Sequence, residues 1–272
     1  MAGTLPAEGE EPLQEPAGIA IDGNRVFVAD SAAGLVRIFD RYGRDKGNIV
    51  LPTAEGVSSR PGAIALADGG RLAVVDSGQG QVLVVEARAA DQATVLFTLG
   101  DPKDGTASAR PVAVAYEGGE YYVADSTEAT VRVYDAEGAF VRKVTPGVTP
   151  PVQYPGGLLV SDVAILISDT KAGRVLVVDA QTGEAMAEWP DTYTVPRGMA
   201  IVRDGFAVAD VLGQAVYVCD AEGVRTHVLD RETVAGLALA LPEAVAWDRT
   251  KSRLYVVDSA AAQVIALNVR LE

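Results

Sequence analysis

The chain has 272 residues, of which 49% are hydrophobic and 22% charged, and its formal net charge is -14. This length and composition support a large buried core and exclude a disordered chain, while the single cysteine excludes a disulfide framework. The excess of acidic over basic residues argues against a nucleic-acid partner, and no apolar run is long enough to span a membrane.

Six segments of the chain follow one format, in which a proline opens a first apolar run, a second run ends in aspartate, and a third run follows. The opening prolines are Pro16, Pro61, Pro111, Pro155, Pro196 and Pro242, at intervals of 45, 50, 44, 41 and 46 residues. The aspartates that end the second runs are Asp30, Asp76, Asp125, Asp169, Asp210 and Asp258. Such self-similarity is typical of a repeat architecture.

Each unit is predicted to form antiparallel strands. The runs are rich in Val, Ile, Leu and Tyr and are bounded by Gly, Asp, Asn and Ser, as strands and hairpin turns require. Fourth strands are predicted at about 47–51, 94–99, 140–144, 185–189 and 226–229. Nothing between the strands has the apolar period of a crossover helix, although 231–241 is ambiguous. The sequence therefore predicts an all-β fold, a six-bladed β-propeller of four-stranded antiparallel blades.

The start of the chain is expected to close the ring. The sixth unit ends directly after its third run, whereas segment 3–6 precedes Pro16 as segment 49–52 precedes Pro61. We therefore expect the N-terminal strand to complete the last blade by pairing with 264–268, which would cover an open sheet edge.

The first unit contains Pro-Ala-Gly-Ile-Ala-Ile, Val-Phe-Val-Ala-Asp-Ser and Val-Arg-Ile-Phe-Asp, and it resembles the NHL repeat. The resemblance covers nearly the whole chain and implies a single six-bladed NHL-type propeller over residues 1–272. It also implies a family used for protein, peptide, ligand or RNA binding, and less often for catalysis. The chain departs from the usual pattern after Asp-Ser, where many members carry Gly-Asn and a basic residue and this chain has Ala32-Ala33-Gly34 in the first unit.

The residues beside the prolines are the candidate ligand-binding residues. Antiparallel strands bring the prolines and the repeated aspartates to one face, where propellers usually bind at the channel mouth. The flanking residues are Glu15, Arg60, Arg110, Tyr154, Arg197 and Glu243. The arginines are predicted to hold an anionic group or an acidic peptide, because guanidinium groups bind carboxylates in two-pronged fashion. The alternative is that they pair with Glu15, Glu243 and nearby loop acids.

The other chemical residue types point to structure rather than catalysis. The repeated aspartates are expected to accept hydrogen bonds from backbone N–H groups of the following turns. Cys219 falls at an apolar core position and His227, the single histidine, on an outer strand, so a zinc site with several histidines is excluded. We predict no catalytic residue, no metal ligand set and no cofactor, while calcium in the channel remains an open alternative.

The segment before Pro242 is unusually apolar for a loop and contains Leu237 and Leu239. The two leucines either pack between blades five and six or lie exposed, where they would form a protein contact beside the mouth.

The function favoured by these patterns is a non-catalytic binding or scaffold propeller for a protein, a peptide or a small ligand at the channel mouth. A propeller lyase or hydrolase acting on a small molecule is the alternative, and an RNA-binding module is disfavoured by the charge. We expect a monomer. The first twenty residues are too acidic for an intact secretory signal. We expect an extracytoplasmic location after signal removal, with the cytoplasm as the alternative.

Overall fold

The computed structural model describes residues 3–54, 56–89, 93–234 and 236–269 of the chain. Within these ranges the chain forms six four-stranded antiparallel sheets and no helix, hence no helix that could cross a membrane. Each of the first five repeats forms one sheet, with its strands hydrogen-bonded in chain order from the channel outwards, and the sixth repeat supplies the three inner strands of the last sheet. The predicted six-bladed propeller is confirmed.

The first three blades contain β2 to β13. Their bounds are β2 (Pro16–Asp22), β3 (Arg25–Asp30), β4 (Leu35–Asp40), β5 (Asp45–Val50), β6 (Pro61–Ala67), β7 (Arg71–Asp76), β8 (Gln81–Glu86), β9 (Val95–Thr98), β10 (Pro111–Glu117), β11 (Glu120–Asp125), β12 (Thr130–Tyr134) and β13 (Phe140–Val144).

The other three blades contain β14 to β24 and β1. Their bounds are β14 (Pro155–Val160), β15 (Ala164–Asp169), β16 (Arg174–Asp179), β17 (Ala185–Glu188), β18 (Pro196–Val202), β19 (Gly205–Asp210), β20 (Ala215–Cys219), β21 (Arg225–Leu229), β22 (Pro242–Asp248), β23 (Arg253–Asp258), β24 (Gln263–Asn268) and β1 (Gly3–Leu5). The five predicted fourth strands are present, and the ambiguous segment 231–241 is not helical in its described part.

The first strands of the blades form a closed ring around the channel, in which each packs against the next and β22 packs against β2. Glycine makes this approach possible at several points. A Cβ atom at Gly18 would lie 2.3 Å from the carbonyl oxygen of Gly62, and one at Gly157 would lie 2.2 Å from that of Arg197. These positions bring neighbouring backbones too close together for a side chain, so glycine fixes the width of the ring.

Apolar side chains fill the spaces between blades. Each of six buried clusters combines residues of two neighbouring blades, as Ile38 of blade one packs with Leu72 and Val85 of blade two. Both faces of a blade are therefore buried, which explains why the second and third strands carry apolar residues at successive positions instead of alternating with polar ones.

The N-terminal strand closes the ring as predicted. β1 pairs antiparallel with β24, with Gly3 opposite Ala266 and Leu5 opposite Val264. Leu5 is 1% exposed and belongs to the cluster between blades six and one. Just beyond the strand, the N–H group of Ala7 donates to the carbonyl oxygen of Gly43 in blade one, at 2.9 Å. The first residues therefore join the last blade to the first.

The structural role predicted for the repeated aspartates is confirmed, but their common partners differ from those expected. Each carboxylate accepts hydrogen bonds from N–H groups of the segment before its own proline. Four of the six also accept from N–H groups of the following turn, as predicted: Asp76, Asp125, Asp210 and Asp258. Asp125, for example, accepts from the N–H groups of Thr127 and Ala109. Burial raises the pKa of the Asp125 carboxyl, but the hydrogen bonds from these N–H groups and from the Ser108 hydroxyl outweigh it and lower the pKa overall.

Arginines link neighbouring blades at the face opposite the prolines. Arg71 of blade two donates to the carbonyl oxygen of Ala136 in blade three at 2.9 Å, and Arg253 of blade six donates to that of Arg41 in blade one at 3.3 Å. These contacts join different repeats, so the pattern within one repeat does not reveal them.

Candidate functional site

A cavity of about 630 Å³ lies at the mouth of the channel, on the face that carries the prolines. All six first strands line it, together with the residues that follow the repeated aspartates in blades one, two and six. Its volume falls within the range of roughly 300–1,000 Å³ that is common for small-molecule sites.

The repeated aspartates hold the backbone of the mouth in place. The N–H group of Glu15 donates to Asp30 at 2.8 Å, and that of Tyr154 donates to Asp169 at 3.0 Å. In return, the N–H group of Ser31, directly after Asp30, donates to the carbonyl oxygen of Glu15 at 2.9 Å. Because these bonds recur around the ring, the residues before the prolines are held at fixed positions.

A β-bulge follows the proline in every first strand, and it interrupts the pairing with the second strand. Bulges commonly redirect a side chain beside a binding site. The residues directly after the prolines all line the cavity: Ala17, Gly62, Val112, Gly156, Arg197 and Glu243. The small residues leave space on blades one and two, and the charged ones lie on blades five and six.

Two of the three predicted arginines form ion pairs at the mouth. Arg60 contacts Glu15 at 2.7 Å, and Arg197 contacts Glu243 at 2.6 Å. These are the pairs that the alternative interpretation of the sequence required. The Arg60 and Glu15 side chains are 49% and 50% exposed, and an ion pair this accessible contributes little to stability. A ligand can therefore rearrange it at small cost.

Tyr154 and Arg110 occupy neighbouring blades on another side of the mouth. Tyr154 lines the cavity, whereas Arg110 is exposed and does not line it, although Pro111 beside it does. Within the described ranges, neither the Tyr154 hydroxyl nor the Arg110 guanidinium has a hydrogen-bond or ion-pair partner. Of the six predicted ligand-binding residues, five line the cavity and Arg110 lies at its rim.

Ser31 is a cavity residue that the sequence interpretation did not identify. It is 7% exposed, and its hydroxyl has no hydrogen-bond partner among the described residues. At the equivalent position of blade two, the Ser77 hydroxyl donates to the carbonyl oxygen of Arg60 at 3.0 Å. A signal for Ser31 was available, because the residue after each repeated aspartate reaches the same face as the prolines.

The protein-contact interpretation of Leu237 and Leu239 is wrong. Leu237 is 2% exposed and Leu239 is 6% exposed, and both belong to the cluster between blades five and six, with Val216 and Leu254. The gap between the two blades is filled by this segment, because burial removes the apolar side chains from water.

The remaining candidate residues lie away from the cavity. His227 is exposed on β21, and Cys219 is buried with its sulfur 3.4 Å from the Tyr193 hydroxyl. Burial raises the pKa of the Cys219 thiol, which keeps it in the unreactive protonated form. Among the described residues, no group of three or more His, Cys, Asp or Glu side chains is arranged to hold a metal ion.

Comparison with known proteins supports the fold and leaves the family open. No protein-family model matches the chain, and no curated protein sequence matches it. The assignment to the NHL repeat therefore stays a prediction.

Solved structures of several proteins share the fold at low sequence identity. Hydrazine synthase of Kuenenia stuttgartiensis is 14% identical, with a TM-score of 0.66 and coverage of 98% of this chain and 99% of that one. Virginiamycin B lyase from Staphylococcus aureus is 15% identical, with a TM-score of 0.64 and coverage of 96% and 88%. The WD40 β-propeller domain of Doa1 is 12% identical, with a TM-score of 0.67 and coverage of 98% and 95%. At such identity the likeness shows a propeller fold, which hosts both lyases and WD40 domains.

Proposed function

We propose that this chain is a non-catalytic binding propeller, of NHL type, that holds a small ligand or the end of a peptide at the channel mouth. The observation that carries the proposal is the cavity itself, which is built by all six blades. It is lined by ion-paired side chains, by hydroxyl groups, and by small and apolar residues of the first strands. A few polar groups in a largely preformed concave site are the usual features of a binding pocket.

The lining favours binding over catalysis. Its described residues include no histidine or cysteine, and its acidic side chains are engaged by arginines. A catalytically inactive variant of virginiamycin B lyase carries alanine in place of a histidine, whereas the single histidine of this chain is exposed on an outer strand. A shared fold does not by itself transfer an activity.

The test fills the cavity without disturbing the ring. Only the carbonyl oxygen of Val75, at 3.8 Å, lies near a Cβ atom built on Gly62, so Gly62→Phe should be accommodated and project into the cavity. Gly147→Phe is the matched control, because Gly147 is exposed, lies outside the cavity and also has room for a side chain.

The purified protein is screened by thermal shift against free amino acids, dipeptides, sugars, nucleosides and carboxylic acids. We expect at least one compound to stabilise the original chain and the Gly147→Phe variant, and to leave the Gly62→Phe variant unchanged. The proposal is wrong if no compound stabilises the chain, or if the filled variant responds equally well.

A further inference from the structure

The charged residues of the mouth are distributed unevenly around the ring. Glu243 of blade six and Glu15 of blade one lie on adjacent blades, since β22 packs against β2. Each accepts one hydrogen bond from an arginine on its far side, at its Oε2 atom. Within the described ranges, Oε1 of both glutamates accepts no hydrogen bond, so one oxygen of each carboxylate remains available to a ligand in the cavity.

Ser31 adds an independent observation at the same place. It lies on blade one beside Glu15, is 93% buried, and lines the cavity with an unpartnered hydroxyl. The hydroxyl oxygen is not enclosed by protein, so a ligand in the cavity can reach it. Two free carboxylate oxygens and a hydroxyl oxygen form an acceptor set that suits an ammonium group, which has three N–H donors.

The opposite side of the mouth has the complementary character. Tyr154 on blade four lines the cavity with an unpartnered hydroxyl, and Arg110 on blade three stands at the rim. Lys171, which follows the turn residue Thr170 of blade four, is exposed but does not line the cavity. These side chains are donors, and none has a hydrogen-bond or ion-pair partner among the described residues, so this side suits a carboxylate.

From this arrangement we infer that the mouth binds a small zwitterion, a free amino acid or short peptide that carries both an ammonium and a carboxylate. The ammonium lies at Glu15, Glu243 and Ser31, and the carboxylate lies towards Tyr154 and Arg110. The inference rests on the proposed function and specifies its ligand class. It also explains the charge of the lining. The charged residues of the cavity are two glutamates and two arginines, so their net charge is zero: Glu15, Arg60, Arg197 and Glu243. A site for a purely anionic ligand would be expected to carry an excess of positive charge.

The test uses a mixture of dipeptides as the probe, in three forms: free, N-acetylated and C-amidated. Thermal shift and calorimetric titration of the full chain should detect the free form, and each modification should weaken binding roughly ten-fold or more, because it removes one charge-assisted set of hydrogen bonds. Binding of the N-acetylated form as tight as that of the free form would overturn the ammonium subsite.

Two matched substitutions locate the ammonium. Ser31→Ala should weaken binding of the free dipeptides roughly five-fold to ten-fold, the loss of one hydrogen bond to a charged group. Ser161→Ala should not, because Ser161 lies outside the cavity and its hydroxyl donates to the carbonyl oxygen of Ala164. Glu15→Gln should weaken binding, and Glu8→Gln, at an exposed position outside the cavity, should leave it unchanged.

The outcomes separate this inference from the proposed function. If sugars, nucleosides or simple carboxylic acids bind in the cavity and zwitterions do not, the ligand class is wrong and the binding function stands. If nothing in the wider screen binds, both are wrong. Equal losses for Ser31→Ala and Ser161→Ala would contradict the assigned position of the ammonium.

Discussion

Shortening one side chain of the N-terminal strand should weaken the whole ring. Leu5 is 1% exposed and packs with residues of blades six and one, so Leu5→Ala removes buried apolar contacts at the point of closure. A buried leucine replaced by alanine costs about 3 kcal/mol, from lost transfer free energy and the cavity that remains. For a chain of this size that corresponds to a fall in melting temperature of roughly 5–10 °C.

The matched control is Thr4→Ala, on the same strand. Thr4 is exposed and pairs with Ile265 only through the backbone ladder, so its truncation should change the free energy of unfolding by less than about 0.5 kcal/mol. The measurements are urea unfolding followed by circular dichroism, and hydrogen exchange of the amides in β24. Deletion of residues 1–8 should exceed the effect of Leu5→Ala, because it also exposes the edge of β24.

The account of closure fails if Leu5→Ala and Thr4→Ala have the same stability, or if the deletion leaves both the melting temperature and the exchange of β24 unchanged. Either result would mean that the ring is held by its inner strands alone.

Three further predictions concern the ring, the loop before blade six, and pH. Gly157→Ala should be destabilising by about 2 kcal/mol or more, because its Cβ atom would lie 2.2 Å from a backbone oxygen, whereas Gly62→Ala should be nearly neutral; thermal unfolding of the pair decides. Leu239→Ser should lower the free energy of unfolding by about 3 kcal/mol, and unchanged stability would show that this side chain is not buried. The pKa of Asp125 is lowered in the folded protein, so its carboxylate stabilises the fold at pH values above the ordinary carboxyl pKa. This stabilisation is lost as the pH falls through the pKa that Asp125 has in the folded protein. Asp125→Asn should therefore be less stable than the original chain at pH 7, with a difference that shrinks in urea unfolding below about pH 4, and a difference independent of pH would contradict it.

The repeat unit was sufficient to predict the fold. A proline, an aspartate at the end of the second strand, and runs of β-branched residues recur in every unit, so local propensity and turn chemistry agree six times over. Ring closure followed from the same logic, because the missing fourth strand of the last unit and the additional N-terminal strand complement each other. The turn and strand signals are local in sequence, which is why they could be interpreted without a structure.

The mouth was only partly predictable. The residues beside the prolines were found because strand direction places them on one face, and five of the six line the cavity. Their partners were not determined by the sequence: whether Arg60 binds Glu15 or a ligand depends on the distance between two blades, and that distance is set by the packing of inner strands. The free hydroxyl of Ser31 and the committed hydroxyl of Ser77 occupy the same place in the repeat motif, so only the tertiary structure distinguishes them.

The sequence by itself determined the number of blades, the order of strands, the closing strand and the face on which the charged residues meet, because each depends on contacts within a repeat or on the count of repeats. Only the tertiary structure decided which arginines are neutralised, which hydroxyl is free, and that Leu237 and Leu239 fill the space between two blades instead of forming a surface. The physical reason is that these outcomes depend on distances between side chains of different blades. Residues far apart in the chain set those distances through packing, and no pattern within one repeat records them.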